Sequence, residues 1–94
     1  MRRVDVTGPS MLPTILDGQR VTAVRRWRAL KVGDVVVSED PTSKGRLLIK
    51  RVAKIHGSTV TLVGDNVSAS TDSRDFGSVP LSSVRWIVLD SSLR

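Results

Sequence analysis

The sequence predicts an all-β domain: a small, coiled and partly open β-barrel of short strands with little helix. Two observations indicate this fold class. Short valine-rich or alternating stretches recur along the 94 residues, and Gly, Pro, Asp and Ser separate them at regular intervals. Heptads, internal repeats and low-complexity tracts are not found in the sequence. A chain of this length forms one small domain, which we expect to cover residues 1–94.

The first half of the chain contains three predicted strands and one constrained loop. The strands are expected at residues 2–7, 20–27 and 34–38. Between the first two lies a loop at residues 10–16, which has room for one helical turn. A turn at Lys31-Val32-Gly33 joins the second and third strands.

The second half contains a hairpin, a long loop and a last strand. The hairpin is predicted from residues 46–55 and 59–63, joined across His56-Gly57-Ser58. Residues 66–78 have few apolar side chains and are predicted to be a loop, and loops of this length in compact domains are usually functional. A turn at 80–83 and a strand at 84–89 follow.

The amino-acid composition excludes several kinds of active site. The chain has no cysteine, so it has no thiol nucleophile, disulfide or thiolate metal site. Its single histidine, His56, lies in the predicted hairpin turn, where it is poorly placed for a Ser-His-Asp triad. One histidine also makes a metal site improbable, so we expect no metal and no cofactor.

Ser10 and Lys50 are the candidate catalytic pair. Ser10 follows Gly8-Pro9 in the constrained loop, and a serine hydroxyl needs a neighbouring base to become a nucleophile. Alternation along a strand places Lys50 on one face with Leu48 and Val52, and apolar neighbours favour the neutral amine that can act as a base. The alternative is that Lys50 extends its ammonium group to solvent at a strand edge.

The positive charge raises the question of anionic partners. The net charge is +6, and residues 25–28 are the densest basic cluster, with Trp27 among three arginines. Such a cluster can bind nucleic acid or an anionic membrane surface. No nucleic-acid motif accompanies it, so we expect no nucleic acid partner and expect Trp27 to cover the core. There is no apolar run of about 18 residues, which predicts no transmembrane helix, although peripheral membrane contact stays possible.

Four sequence blocks occur in a fixed order, and together they suggest a family. They are GPSMLPT at 8–14, VGDVVV at 32–37, LIKRV at 48–52 and GDNVSASTDSR at 64–74. This set resembles the S26 serine peptidases, the type I signal peptidases, which carry an SMxPT loop, a GD-plus-valine strand, a KRV strand and a GDNxxxSxDSRxxG loop. The resemblance extends from about residue 6 to residue 84.

The resemblance implies a role for each matching residue. Ser10 corresponds to the nucleophile and Lys50 to the general base. Ser70 takes the place of the serine that orients the lysine, and Asp72 and Arg74 match the pair that braces the loop. Without the motif, Asp72 and Arg74 would be read as an exposed turn ion pair.

The resemblance also implies where the oxyanion and the substrate lie. The main-chain N–H of Ser10 is the first oxyanion donor. Gly8 stands where some members carry a second, side-chain hydroxyl, and the second donor is left open. Met11 is expected to pack beside the nucleophile and line the substrate cleft. The substrate is expected to be a precursor protein, bound as an extended segment that adds a β-strand.

The chain departs from the signal peptidase pattern in its expected lack of a membrane anchor and in the short interval between Lys50 and Gly64. With Arg2 and Arg3 so close before Ser10, a signal peptide is not expected either. In both respects the chain is most similar to the short, soluble bacterial proteases that remove the leader of nickel-type superoxide dismutase, which implies a cytoplasmic location. The oligomeric state is left open.

Three other functions stay open. The first is a signal peptidase I that acts on secretory preproteins, the chain being a fragment or anchored by a partner, and therefore membrane-associated. The second is a self-cleaving repressor-type domain of the S24 family, which lacks the GDN block. The third is a catalytically silent binding module.

Overall fold

A computed structural model describes residues 1–89, so the predicted domain end at residues 90–94 lies outside the described residues. The fold consists of a seven-stranded antiparallel sheet that curls into a half-barrel, which confirms the predicted all-β class. The strands are Arg2–Asp5 (β1), Arg20–Arg25 (β2), Val35–Glu39 (β3), Leu47–His56 (β4), Thr59–Val63 (β5), Val79–Pro80 (β6) and Val84–Val88 (β7). Their order in the sheet is β1-β2-β7-β3-β4-β5-β6, which leaves β1 and β6 as the edges.

Three short helical segments lie outside the sheet. They are two 3-10 turns at Val67–Ala69 and Leu81–Ser83, and one α-helical turn at Ser73–Phe76 (α1). The predicted loop over 66–78 therefore contains two of these short turns. A capping box starts α1: the Asp72 side chain accepts from the Arg74 N–H, and the Asp75 side chain accepts from the Asp72 N–H.

The β4–β5 hairpin is tighter than the sequence predicts. His56 pairs with Thr59, so only Gly57 and Ser58 form the turn. Gly57 has φ +60, the left-handed conformation that glycine adopts at little cost. The pairing shifts register between Val52 and Lys54, and this irregularity separates the apolar middle of β4 from its exposed end.

The hydrophobic core is divided between the two faces of the sheet. Alternate residues of β3 separate the clusters, because Val35 and Val37 belong to one and Val36 to the other. The first cluster contains Val6, Met11, Ile15, Val21, Ala23, Val35, Val37 and Val88. The second contains Val36, Val52, Val60, Leu62, Val79, Val84 and Ile87. Strand β3 is thus buried on both faces, which explains its unbroken run of valines.

Trp27 does not cover the core, and the expectation that it would was wrong. It lies beyond the end of β2, and 68% of its surface is exposed. The tryptophan that packs against the first cluster is Trp86, which is partly buried, with Arg2 and Arg25 over its ring. Within residues 1–89, no helix has the length and apolar character needed to cross a bilayer.

Candidate active site

The serine loop, residues 8–14, follows β1 and is anchored by the core beneath it. Met11 and, one residue beyond the loop, Ile15 are fully buried in the first cluster, and the Ile15 N–H donates to the Met11 carbonyl at 2.9 Å. Gly8 opens the loop at φ +90, and its N–H donates to Asp17 Oδ1 at 2.9 Å. Met11 therefore supports the loop from below and is not among the residues that line the cleft, in contrast to the expectation for it.

Lys50 lies on β4 directly opposite Val36, so its side chain shares the face of the second cluster. Only 3% of its surface is exposed, and Val52, two residues along the strand, is equally covered. Its Nζ donates to Ser70 Oγ at 3.1 Å. The lysine is therefore held inside the protein, and the alternative in which it extends to solvent does not apply.

Burial lowers the pKa of Lys50 because desolvation disfavours the ammonium form. The charges of Arg74 and Arg46 lower this pKa further, whereas Asp72 and Asp40 act in the opposite direction. The net pKa shift is downward, so the neutral amine is reached at lower pH than for an exposed lysine.

Ser70 links Lys50 to a buried carboxylate. The Ser70 hydroxyl donates to Asp72 Oδ2 at 2.6 Å, so its single proton is committed there. Towards Lys50, Ser70 Oγ can only accept, which means that the lysine supplies an N–H to this bond. The lone pair of a neutral Lys50 then remains available for the proton of another group.

Asp72 is fully buried and accepts several hydrogen bonds. The Gly64 N–H donates to its Oδ2 at 2.7 Å, and Arg74 donates to its Oδ1 from the backbone N–H at 3.0 Å and from Nε at 2.9 Å. Burial by itself would raise the pKa of Asp72, but the hydrogen bonds from Arg74, Ser70 and Gly64 outweigh it and hold this pKa well below its usual range. Asp72 therefore stays ionised and keeps Ser70 oriented.

The GDN loop, residues 64–74, also holds the serine loop. The Asn66 N–H donates to the Ser10 carbonyl at 2.9 Å, and Asn66 Nδ2 donates to the Pro9 carbonyl at 3.1 Å. Gly64 lies between the two sides of the site: a Cβ at this position would be 2.2 Å from Ser70 Oγ and 2.6 Å from the Ser10 carbonyl oxygen. Only glycine fits this close approach.

Asp65 joins three of the sequence blocks. Its two carboxylate oxygens accept from Arg51 Nε and Nη2, each at 2.8 Å, and Oδ2 also accepts from the Thr14 hydroxyl. Thr14 belongs to the serine loop and Arg51 follows Lys50 on β4. Asp65 therefore fixes both segments relative to the GDN loop.

Sequence reasoning assigned no role to this second set of residues. All of them lie within the motif blocks, which was the available signal, but their roles depend on contacts between distant segments. They are Thr14, Arg51, Gly64, Asp65 and Asn66.

Ser10 and Lys50 line the same cleft, which has a volume of about 410 Å³. Gly8 also lines it, whereas Ser70, Asp72 and Arg74 form the network behind Lys50. Neither the Ser10 hydroxyl nor the Ser10 N–H has a hydrogen-bond partner among residues 1–89. Both groups are free to act on a bound substrate.

The cleft separates two strand edges. One wall is residues 4–10, from β1 into the serine loop, and the other is residues 46–50, at the start of β4. Strand β1 is an edge of the sheet, and β4 pairs with β5 only from Arg51 onward. Both walls therefore present backbone groups that the sheet does not use.

Comparisons with known proteins identify the family. The family model described as Signal peptidase, peptidase S26 matches residues 1–63. The chain is 32% identical over 106 residues to mitochondrial inner membrane protease subunit 1 of Schizosaccharomyces pombe, covering 88% of this chain and 68% of the relative. It is 35% identical over 103 residues to mitochondrial ATP-independent inner membrane protease subunit 1a of Arabidopsis thaliana, covering 82% and 61%. The human subunit 1 is 29% identical over 102 residues, covering 84% and 61%.

These relatives correct two expectations. They are eukaryotic mitochondrial inner membrane proteases and not superoxide dismutase maturation proteases, so the bacterial maturation assignment gains no support from them. The expected cytoplasmic location was wrong, because the relatives are proteases of a membrane. The chain spans about three-fifths to two-thirds of the length of these relatives.

The family match covers more than half of the chain, including the serine loop and β4. The matched region carries both Ser10 and Lys50, and the fold is the all-β half-barrel that the resemblance implied. The chain belongs to the S26 family of signal peptidases and is a serine peptidase.

Proposed function

We propose that the protein is an endopeptidase with a Ser-Lys dyad. Ser10 Oγ attacks the scissile carbonyl carbon while Lys50 takes the hydroxyl proton, and the Ser10 N–H donates to the oxyanion. Lys50 then returns the proton to the leaving amine. The observation that carries this proposal is the buried Lys50 amine, whose only hydrogen bond within residues 1–89 goes to Ser70, in the same cleft as the Ser10 hydroxyl.

Deacylation repeats the chemistry with water. Lys50 takes a proton from the water as it attacks the acyl carbon, and returns it to Ser10 Oγ as the ester bond breaks. The Gly8 N–H is not a second oxyanion donor, because it is already bonded to Asp17. Ser10 is therefore the one backbone donor that we assign.

The substrate enters as an extended chain between the two walls of the cleft. Its backbone can pair with the unused edge of β1 on one side and with residues 47–50 of β4 on the other. This geometry accepts a strand in a precursor more readily than a folded surface. It supports cleavage of an exposed leader segment.

We assign the leader to a membrane-presented preprotein, as in a signal peptidase. The support is the family description and the names of the relatives, which are inner membrane proteases. The nickel superoxide dismutase precursor is the competing substrate, and it rests only on the similarity in size. A partner subunit or an anchoring segment is part of this proposal, since the relatives are named as subunits.

Cleavage of two precursors tests the assignment. The purified protein is expected to cut a membrane-inserted secretory preprotein at one position, faster than the nickel superoxide dismutase precursor. Ser10→Ala should reduce the rate by at least about 10³-fold because the nucleophile is lost. Ser58→Ala, in the exposed hairpin turn, is the matched control. Undiminished cleavage by Ser10→Ala would refute the mechanism, and faster cleavage of the dismutase precursor would refute the substrate assignment.

We further propose that the loop between β2 and β3 contacts the membrane. Trp27 and Val32 are 68% and 65% exposed there, which is unusual for large apolar residues. Exposed basic residues flank them in the sequence, namely Arg25, Arg26 and Lys31. Tryptophan is favoured at the bilayer interface, and basic side chains are attracted to anionic headgroups.

Sedimentation with vesicles measures this contact. Binding to phosphatidylserine-containing vesicles is expected to exceed binding to phosphatidylcholine vesicles and to weaken with salt. Trp27→Ala should lower the partition coefficient about tenfold, because the ring leaves the interface. Val67→Ala removes an equally exposed apolar side chain from the GDN loop and should change little. Equal effects of the two substitutions would argue against this surface.

A further inference from the structure

Asp40 lies in the cleft, at the hairpin between β3 and β4. Its N–H donates to the Arg46 carbonyl at 2.9 Å, which closes the base of the loop between the two strands. Asp40 lines the same cleft as Ser10 and Lys50. Only 5% of its side chain is exposed, so a carboxylate has been placed almost entirely inside the protein next to the cleft.

The two oxygens of Asp40 are used unequally. Oδ1 accepts from the Thr42 N–H at 2.8 Å and from the Thr42 hydroxyl at 2.7 Å, which fixes the turn. Oδ2 has no hydrogen bond within residues 1–89. The nearest cation to it is Arg46 Nε at 3.8 Å, beyond hydrogen-bond distance, on a side chain that is 67% exposed. The turn needs only Oδ1, so its geometry does not explain Oδ2.

The carboxylate is charged. Burial alone would raise the pKa of Asp40, but the hydrogen bonds from Thr42 and the positive charges of Arg46 and Lys50 outweigh it, and the net pKa shift is downward. Oδ2 is not itself fully covered, and it receives no hydrogen bond within residues 1–89, so it is free to accept from a donor that enters the cleft. A cation that enters the cleft can supply that donor, and the exposed Arg46 side chain can move aside for it.

We propose that Asp40 forms a subsite for a basic side chain of the substrate, a lysine or an arginine. The inference rests on the proposed peptidase function and adds a specificity determinant to it. Arg46 and Leu47 also line this cleft, so an apolar residue is available there to the methylene groups of a long basic side chain. The substrate ammonium or guanidinium group donates to Asp40 Oδ2.

Strand register gives the position of this side chain relative to the cut. Lys50 is opposite Val36, and Asp40 lies four residues further along the chain. At about 3.3 Å per residue, Asp40 is about 13 Å from the level of the lysine. A substrate strand between the two walls has the same rise per residue, so the selected side chain lies about three or four residues from the scissile bond.

A substrate series tests the subsite. In a cleavable precursor, each residue within about five positions of the cut is replaced in turn by Lys, Ala or Glu, and kcat/KM is measured. At one position about three or four residues away, the wild-type protein is expected to prefer Lys over Ala by about tenfold, the size of a charge-assisted hydrogen bond. Glu should be the poorest of the three there.

Asp40→Asn should bring the ratio of kcat/KM for the Lys substrate to kcat/KM for the Ala substrate close to one. The asparagine amide keeps an acceptor for Thr42 but lacks the negative charge. Arg46→Ala should raise the ratio, since the competing cation is removed. Glu39→Gln is the matched control: this acid is exposed and paired with Arg85 at 2.7 Å, and the ratio should stay at the wild-type value.

The outcomes separate this inference from the proposed function. Ser10-dependent cleavage without a preference for Lys at any position would overturn the subsite and leave the peptidase intact. An unchanged ratio in Asp40→Asn would also overturn it. If the wild-type protein cleaves none of the series in a Ser10-dependent way, the peptidase proposal fails and the subsite fails with it.

Discussion

Replacing Lys50 by methionine is expected to abolish cleavage while the protein stays folded. Methionine has a similar length and suits a site that is 3% exposed, but it cannot take the Ser10 proton. A general base contributes about 10²–10⁴-fold to the rate, so kcat should fall by at least that factor. Lys50→Arg should be equally inactive, because arginine has the donors of lysine but stays charged.

The matched control is Lys54→Met, which changes an exposed lysine on the same strand. Turnover is measured for all three variants beside a thermal unfolding curve, so that loss of fold is separated from loss of base. Wild-type turnover in a folded Lys50→Met or Lys50→Arg protein would contradict the assignment of Lys50.

The same assignment determines the direction of the pH dependence. Lys50 is active when neutral, so kcat/KM should rise with pH as its proton is lost. Burial lowers the pKa of Lys50 from its ordinary value of 10.5, and the midpoint of this rise is therefore expected below 10.5. A rate that falls as the pH is raised from neutral, in a protein that stays folded, would point to another base.

Gly64→Ala is expected to cause the second large loss, in both stability and activity. The added Cβ would be 2.2 Å from Ser70 Oγ and 2.6 Å from the Ser10 carbonyl oxygen, distances that force one of them to move. Overpacking of this kind costs about 1–3 kcal/mol. Displacing Ser70 releases Lys50, and displacing Ser10 moves the nucleophile, so turnover should fall by about 10²-fold or more.

Gly57→Ala separates crowding from the general effect of replacing glycine. Its Cβ would meet nothing within 4 Å, but its φ of +60 disfavours alanine. We expect a loss of about 1–2 kcal/mol in the free energy of unfolding with turnover retained under folding conditions. Chemical denaturation and kcat, measured on both variants, show whether crowding at residue 64 reduces activity beyond its effect on stability. Full activity in Gly64→Ala would show that the close approach has no role in catalysis.

Local sequence patterns determined much of the fold and the environment of the base. The valines of β3 and the residues around Lys50 alternate as strands require, and the burial of Lys50 follows from apolar neighbours two residues away on each side. The hairpin after β4 was also predictable, because His56-Gly57-Ser58 contains a turn glycine, although its exact length was not.

Contacts between distant segments were not predictable from these patterns. The position of Met11 depends on which face of the serine loop meets the sheet, and the two bonds from Asn66 join residues more than fifty positions apart. The helical turn after Asp72 depends on the hydrogen bonds that the Asp72 side chain makes as its cap. The same side chain could equally bond to the backbone of a non-helical loop, so the sequence alone does not decide between the two. Trp27 is a large apolar residue of the kind usually found in a core. It is exposed because the chain leaves the sheet after β2, which the sequence pattern does not show.

The burial of Met11 and Ile15 joins the nucleophile to the cooperative unfolding of the domain. Both side chains are fully covered, and exposing each would cost about 1.5–3 kcal/mol. Local opening that moves Ser10 away from Lys50 must expose these side chains as well as break the bonds from Asn66, so it is rare compared with the fraying of an ordinary surface loop. The active geometry therefore lasts nearly as long as the folded state itself, and heat should remove activity and tertiary structure in a single step.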